Sequence, residues 1–116
     1  MSAKPSIAMS AEELRAFLGA TPYVVVCIPD AQGNLVARAV RHKFEGGELR
    51  LEPGAAARDL PAGPGACAIA DTNVEYFGIK GAMLRGPLQA GPDGQLRLTI
   101  EHSGGFDFAK IPPYRK

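Results

Sequence analysis

The sequence predicts a mainly β domain, with six short strands closing into an antiparallel barrel behind one leading helix. Three observations predict it. The chain is 46% apolar and 22% charged, ordinary values for a folded globular protein. Its 116 residues carry 14 glycines and 10 prolines, an excess that marks many turns without reaching low-complexity composition. The apolar runs between those turns are short and either β-branched or alternating, as strands are. A chain of this length forms one domain, residues 1–116, burying roughly two-thirds of its unfolded surface.

The elements follow in order. Ser10-Ala-Glu-Glu13 is a capping box, in which the Ser10 hydroxyl accepts the Glu13 N–H and the Glu13 carboxylate reaches back. Leu14, Phe17 and Leu18 then recur at helical spacing, so a helix is expected over residues 11–18, with Gly19 as a left-handed stop. Tyr23-Val-Val-Val-Cys-Ile28 is continuously apolar, the pattern of a strand covered on both faces. A turn at residues 30–34 leads into a second strand over residues 35–43, and Gly46-Gly47 turns the chain into an alternating strand over residues 48–52. Residues 55–60 offer one helical turn before Pro61, and residues 66–70 a strand of small side chains. A long or bent strand is expected from Tyr76 to Gln89, with Gly78, Gly81 and Gly86 at barrel corners. Pro92-Asp93-Gly94 turns into residues 95–101, where Leu96, Leu98 and Ile100 point inward. The tail, with Phe106, Phe108, Ile111 and Tyr114, packs against the body or a partner.

Several function classes recede on composition. A net charge of +1 gives little electrostatic footprint for duplex nucleic acid or anionic lipid. No apolar run approaches the ~20 residues of a membrane helix, and residues 1–10 lack a signal-peptide core, so a cytoplasmic location is expected. Two cysteines, Cys27 and Cys67, support neither a disulfide framework nor a zinc cluster; each reads as a small hydrophobe in a strand. His42 and His102 sit in no hydrolase or metal motif, and no catalytic residue or metal ligand is assigned. Gly78-Ile-Lys-Gly81 opens no helix, which argues against a phosphate-binding P-loop.

One stretch concentrates cations: Arg38-Ala-Val40-Arg41-His42-Lys43, followed by Arg58 on the short helical turn. Guanidinium forks and a lysine together hold a phosphate monoester, although a solvated face balanced by Glu45, Glu48 and Glu52 accounts for the same charges. Arg38 and Lys43 fall on opposite faces of a regular strand, so sharing one ligand requires a bulge, a strand end or two subunits.

These residues resemble the FMN-binding split barrels related to pyridoxamine 5′-phosphate oxidase, over roughly residues 11–88. The turn at residues 30–33, the pattern Arg38-x-Val40-x-x-Lys43, Arg58 after the third strand, and Met83-Leu84-Arg85-Gly86 carry the resemblance. It implies a six-stranded antiparallel split β-barrel with a leading helix and a short crossover helix. It also implies a homodimer with FMN at the subunit interface and a small-molecule redox substrate or electron donor. Arg38, Val40, Lys43 and Arg58 match the family's phosphate and ring contacts. Lys80 and Arg85 are candidates for the ring's pyrimidine edge, where a cation stabilises charge developing on reduction. Residues 66–70 and Met83 are candidate walls for the ring. The family commonly has Ser or Thr before the phosphate cation, whereas Ala55, Ala56 and Ala57 stand here. The chain also lacks Trp, which argues against pyridoxamine phosphate oxidation itself. Other readings stay open: a split-barrel dimer without flavin serving as a binding or structural module, an oligonucleotide-binding barrel, or a deazaflavin or haem ligand.

Overall fold

The computed structural model describes residues 7–72, 80–107 and 110. Along the chain run α1 (Ala11–Ala20), β1 (Tyr23–Pro29), β2 (Leu35–Glu45), β3 (Glu48–Leu51), α2 (Ala55–Arg58), β4 (Gly63–Thr72), β5 (Lys80–Ala90), β6 (Leu96–Thr99) and β7 (His102–Asp107). Antiparallel pairing in the order β4-β1-β2-β3-β6-β5, with β5 returning to β4, closes a six-stranded barrel. Alternation supplies the core: Val24, Val26 and Ile28 of β1, Leu49 and Leu51 of β3, and Leu84 and Leu88 of β5 all point inward. Leu98 of β6 is fully buried, and Leu96 and Ile100 pack against the core as expected.

The α1 helix begins where the capping box sets it. Ser10 Oγ accepts the Glu13 N–H at 3.1 Å, and the Ser10 N–H donates to Glu13 Oε1 at 2.8 Å. Its end differs from expectation. Gly19 lies inside the helix, which runs to Ala20 and stops because Pro22 forces Thr21 into extended backbone. The Thr21 hydroxyl donates to the Phe17 carbonyl at 2.7 Å and takes up one of the last helical acceptors. At the β1–β2 turn, Asp30 Oδ1 accepts the N–H groups of Gln32 and Asn34, and Gly33 takes φ 84°.

A seventh strand, unforeseen in the sequence, extends the barrel. β5 shares one edge between two partners: β7 pairs with Lys80–Arg85 and β6 with Leu88–Ala90. The chain kinks between β6 and β7, where the Glu101 N–H donates to the Arg85 carbonyl at 2.8 Å. Gly86 makes room for this kink, since a Cβ there would overlap the Thr99 carbonyl oxygen. Gly81 serves similarly beneath the Phe106 ring. Outside β7, the Met9 N–H donates to Gly105 O at 2.9 Å and the Asp107 N–H to Ile7 O at 2.7 Å. The expected start of β5 at residues 76–79, Gly78 included, and the tail residues Phe108, Ile111 and Tyr114 lie outside the described residues.

The other face of the sheet breaks the expectation of double cover for β1. In a single chain the outward side chains of β1, β4 and β5 are open: Val25 is 40% exposed, Ile69 37% and Met83 51%. They form one patch, because Val25 is registered opposite Ile69 and Ile69 opposite Met83.

Candidate functional site

The cationic stretch lies on β2, where strand parity separates its members. Arg38 and Val40 share the inward phase with His42, whereas Arg41 and Lys43 point outward. Val40 is buried beside Val24. Arg38 reaches the end of α2, its Nε donating to Asp59 Oδ2 at 3.2 Å, and its Nη1 donates to the Ala37 carbonyl at 2.8 Å. Arg38 therefore meets the residue after Arg58, and a carboxylate occupies its fork. Arg58 is exposed and makes no ion pair among the described residues.

The α2 turn divides two depressions. On the β2 side lies a shallow groove of about 200 Å³ with Tyr23, Ala39, Val40, Arg41, Pro53 and Ala56 in its lining. Arg41 stacks over Tyr23, 4.9 Å from the ring centroid, and donates from Nε to the phenol oxygen at 3.1 Å. Across α2 a cleft of about 350 Å³ is lined by Leu51, Ala57, Arg58, Leu60 and Leu96. Lys43 borders a third depression with Arg50 and Glu52. Lys80 lies 4.0 Å from the Asp107 carboxylate. The six candidate residues thus do not line one common depression in a single chain.

A cleft of about 400 Å³ lies between β4, β5 and β7 on the outer face. Ile69, Met83 and Phe106 give it apolar walls, Gly104 leaves open space above its backbone, and Arg85 and His102 supply polar groups. Its volume falls within the ~300–1,000 Å³ typical of small-molecule sites. One expected wall is corrected here. Ala66, Ala68 and Ala70 point into the core, so the outward residues of β4 are Cys67, Ile69 and Asp71. Met83 does face the cleft.

Two titratable groups near these surfaces are shifted. Burial pushes the His42 imidazole below its ordinary value, against a smaller opposing effect of its bond to Thr21. Its Nε2 lies 2.6 Å from the Thr21 carbonyl, which can only accept, so Nε2 carries the proton and donates. Nδ1 is buried without a partner. Burial also pushes the Cys67 thiol up, with Cys27 adding to the rise and Arg85 opposing it. Sequence reasoning missed the Arg41–Tyr23 pair and His102. The signal for the first was the cross-strand register Tyr23↔Arg41; the second depends on β7, which the sequence did not reveal.

No protein-family model and no curated protein matches this chain. Solved structures do. A conserved hypothetical protein from Mycobacterium tuberculosis superposes with a TM-score of 0.77 at 13% identity, over 100% of this chain and 96% of its own. An FAD-binding protein from Mesorhizobium loti gives 0.64 at 16% identity, over 84% and 93%. A Corynebacterium glutamicum protein named for pyridoxamine 5′-phosphate oxidase gives 0.69 at 11% identity, over 92% and 98%. The chain shares its split-barrel fold with these structures. In this split barrel the helix α1 leads, α2 crosses over between β3 and β4, and β7 extends the sheet beside the cleft of about 400 Å³.

Proposed function

We propose that this split barrel binds a flavin, as FMN, and works as a homodimer that passes hydride or electrons through it. The observation that carries the reading is the apolar face of β1, β4 and β5, which a single chain leaves open beside a cleft holding Arg85. A flat apolar wall with one guanidinium suits an isoalloxazine ring whose pyrimidine edge gains charge on reduction. A second copy on this face brings its own α2, with Arg38 and Arg58, toward the ring cleft of the first. That arrangement resolves the separation of the candidate cations within one chain. Neighbours named as FAD-binding proteins support a flavin in this barrel, and the choice of FMN rests on the resemblance carried by Arg38, Val40, Lys43 and Arg58. Bound flavin supplies the redox chemistry, so the chain's residues need only bind, orient and exclude water, consistent with the absence of an assigned nucleophile.

The test is the visible absorption of the purified protein before and after addition of FMN, with riboflavin and FAD titrated alongside. FMN should bind most tightly. Arg58→Ala should weaken FMN about ten- to a hundredfold, the effect of one or two charged hydrogen bonds, and leave riboflavin unchanged. Equal losses for both ligands would assign Arg58 to structure rather than to phosphate. A second reading, a dimeric split barrel without flavin that serves as a binding or structural module, draws on two observations: Ala55–Ala57 offer no hydroxyl donors, and Asp59 takes up Arg38. Absence of flavin that stays with the protein on desalting, at every FMN concentration, would favour it. Binding of single-stranded oligonucleotide that strengthens at low salt, again without flavin, would favour an oligonucleotide-binding barrel.

A further inference from the structure

Cys27 and Cys67 are the chain's two cysteines, and both are free. The fold sets them directly opposite one another: Cys27 on β1 is the register partner of Cys67 on β4. The outward row that contains them continues across the sheet, because Cys67 is registered opposite Arg85 and Arg85 opposite His102. Both thiols are half-buried on the outer face rather than sealed in the core. Directly opposed residues on antiparallel strands hold their Cα atoms about 4.5–5.5 Å apart, inside the ~4.4–6.8 Å window of a disulfide.

We propose that Cys27 and Cys67 form a redox-active dithiol that closes to a cross-strand disulfide on reaction with a small-molecule disulfide such as oxidised glutathione. The inference does not depend on flavin binding. It concerns the chain before a second copy covers the outer face of β1 and β4, when both thiols stand on an open face. In the first step the Cys27 thiolate attacks one sulfur of the oxidant, forming a mixed disulfide and expelling one thiolate. In the second the Cys67 thiolate attacks Cys27 Sγ, forming the intrachain bond and expelling the second thiolate. The two protons given up by the cysteines are taken by the leaving thiolates. The cysteines together lose two electrons, and the oxidant is reduced to two thiols. Burial opposes ionisation of the Cys67 thiol, and Arg85 beside it works the other way, favouring the thiolate that the second step needs. A pair of this kind responds to redox state without any change in the core, since neither side chain belongs to it.

The full-length chain is brought to equilibrium in glutathione buffers of increasing oxidised fraction, quenched in acid, alkylated and weighed intact. Both thiols should vanish from alkylation together. The product should be lighter than the reduced chain by two hydrogens, run as a single chain on a non-reducing gel, and return to the dithiol on reduction. Cys67→Ser should instead retain one glutathione on Cys27, because the displacing thiol is gone. Wild-type chains that keep two alkylatable thiols, carry two glutathiones, or cross-link to one another would each overturn the proposal.

Discussion

Gly86 has the least room for a side chain of any glycine described. Its missing Cβ is what allows the β6–β7 kink to lie against β5, and the obstacle is backbone, which cannot swing aside. Gly86→Ala should cost about 2–3 kcal/mol, the range of overpacked interiors, seen as a lower urea midpoint. Leu98, fully buried, should cost ~2–5 kcal/mol on truncation to Ala. His42 sets a pH dependence. Its folded pKa is depressed, so the unfolded chain binds the extra proton first. Stability is therefore complete above the unfolded value near 6.5 and declines as pH falls through the folded one. Protonation would also place an N–H at buried Nδ1, where no acceptor waits. His42→Gln should flatten the fall in melting temperature on acidification; an unchanged slope would place the sensitivity elsewhere. At this scale the sequence was legible where partners are neighbours, as at Ser10 with Glu13. It was silent on Arg38 with Asp59, because strand pairing and a helical turn must first bring them together.

Among the elements, the start of α1 is a local device and was readable for that reason. Ser10→Ala removes the acceptor for the Glu13 N–H and should cost about 1 kcal/mol, measured by chemical denaturation. Lys110 adds a second hold, its ammonium 2.6 Å from Glu13 Oε1, which with the Ser10 N–H draws the Glu13 carboxyl down to about 2. The helix end was misplaced because glycine was given priority over the constraint that Pro22 imposes on Thr21. β7 was illegible for a different reason. Its Ser103-Gly-Gly core has little intrinsic strand preference, and pairing with β5 supplies what its own residues do not.

For the whole molecule, the alternation of β3 and β6, with short strands between turns and glycines at the corners of β5, made a barrel readable. A strand with one apolar face is buried only by closure or packing. Which strand pairs with which was not written in that alternation. The continuous apolar run of β1 carried a second message, cover on its outer side, that a single chain does not satisfy. If a second copy provides that cover, Met83→Glu should shift the protein to monomer in sedimentation while its melting temperature stays within a few degrees of the parent. A variant that remains dimeric would move the contact to another surface. If the cleft holds the proposed flavin, the same substitution should also reduce FMN affinity, because Met83 lines that cleft on the same face.

The short segment at residues 7–9 has a further consequence. Its hydrogen bonds to Gly105 and Asp107 cover the outermost rim of the sheet, where strand backbone would otherwise stand ready to template another chain. Those few residues act as a guard against self-association. A chain trimmed to begin at Ser10 should keep its barrel yet grow turbid on concentration, as uncapped β7 strands recruit one another.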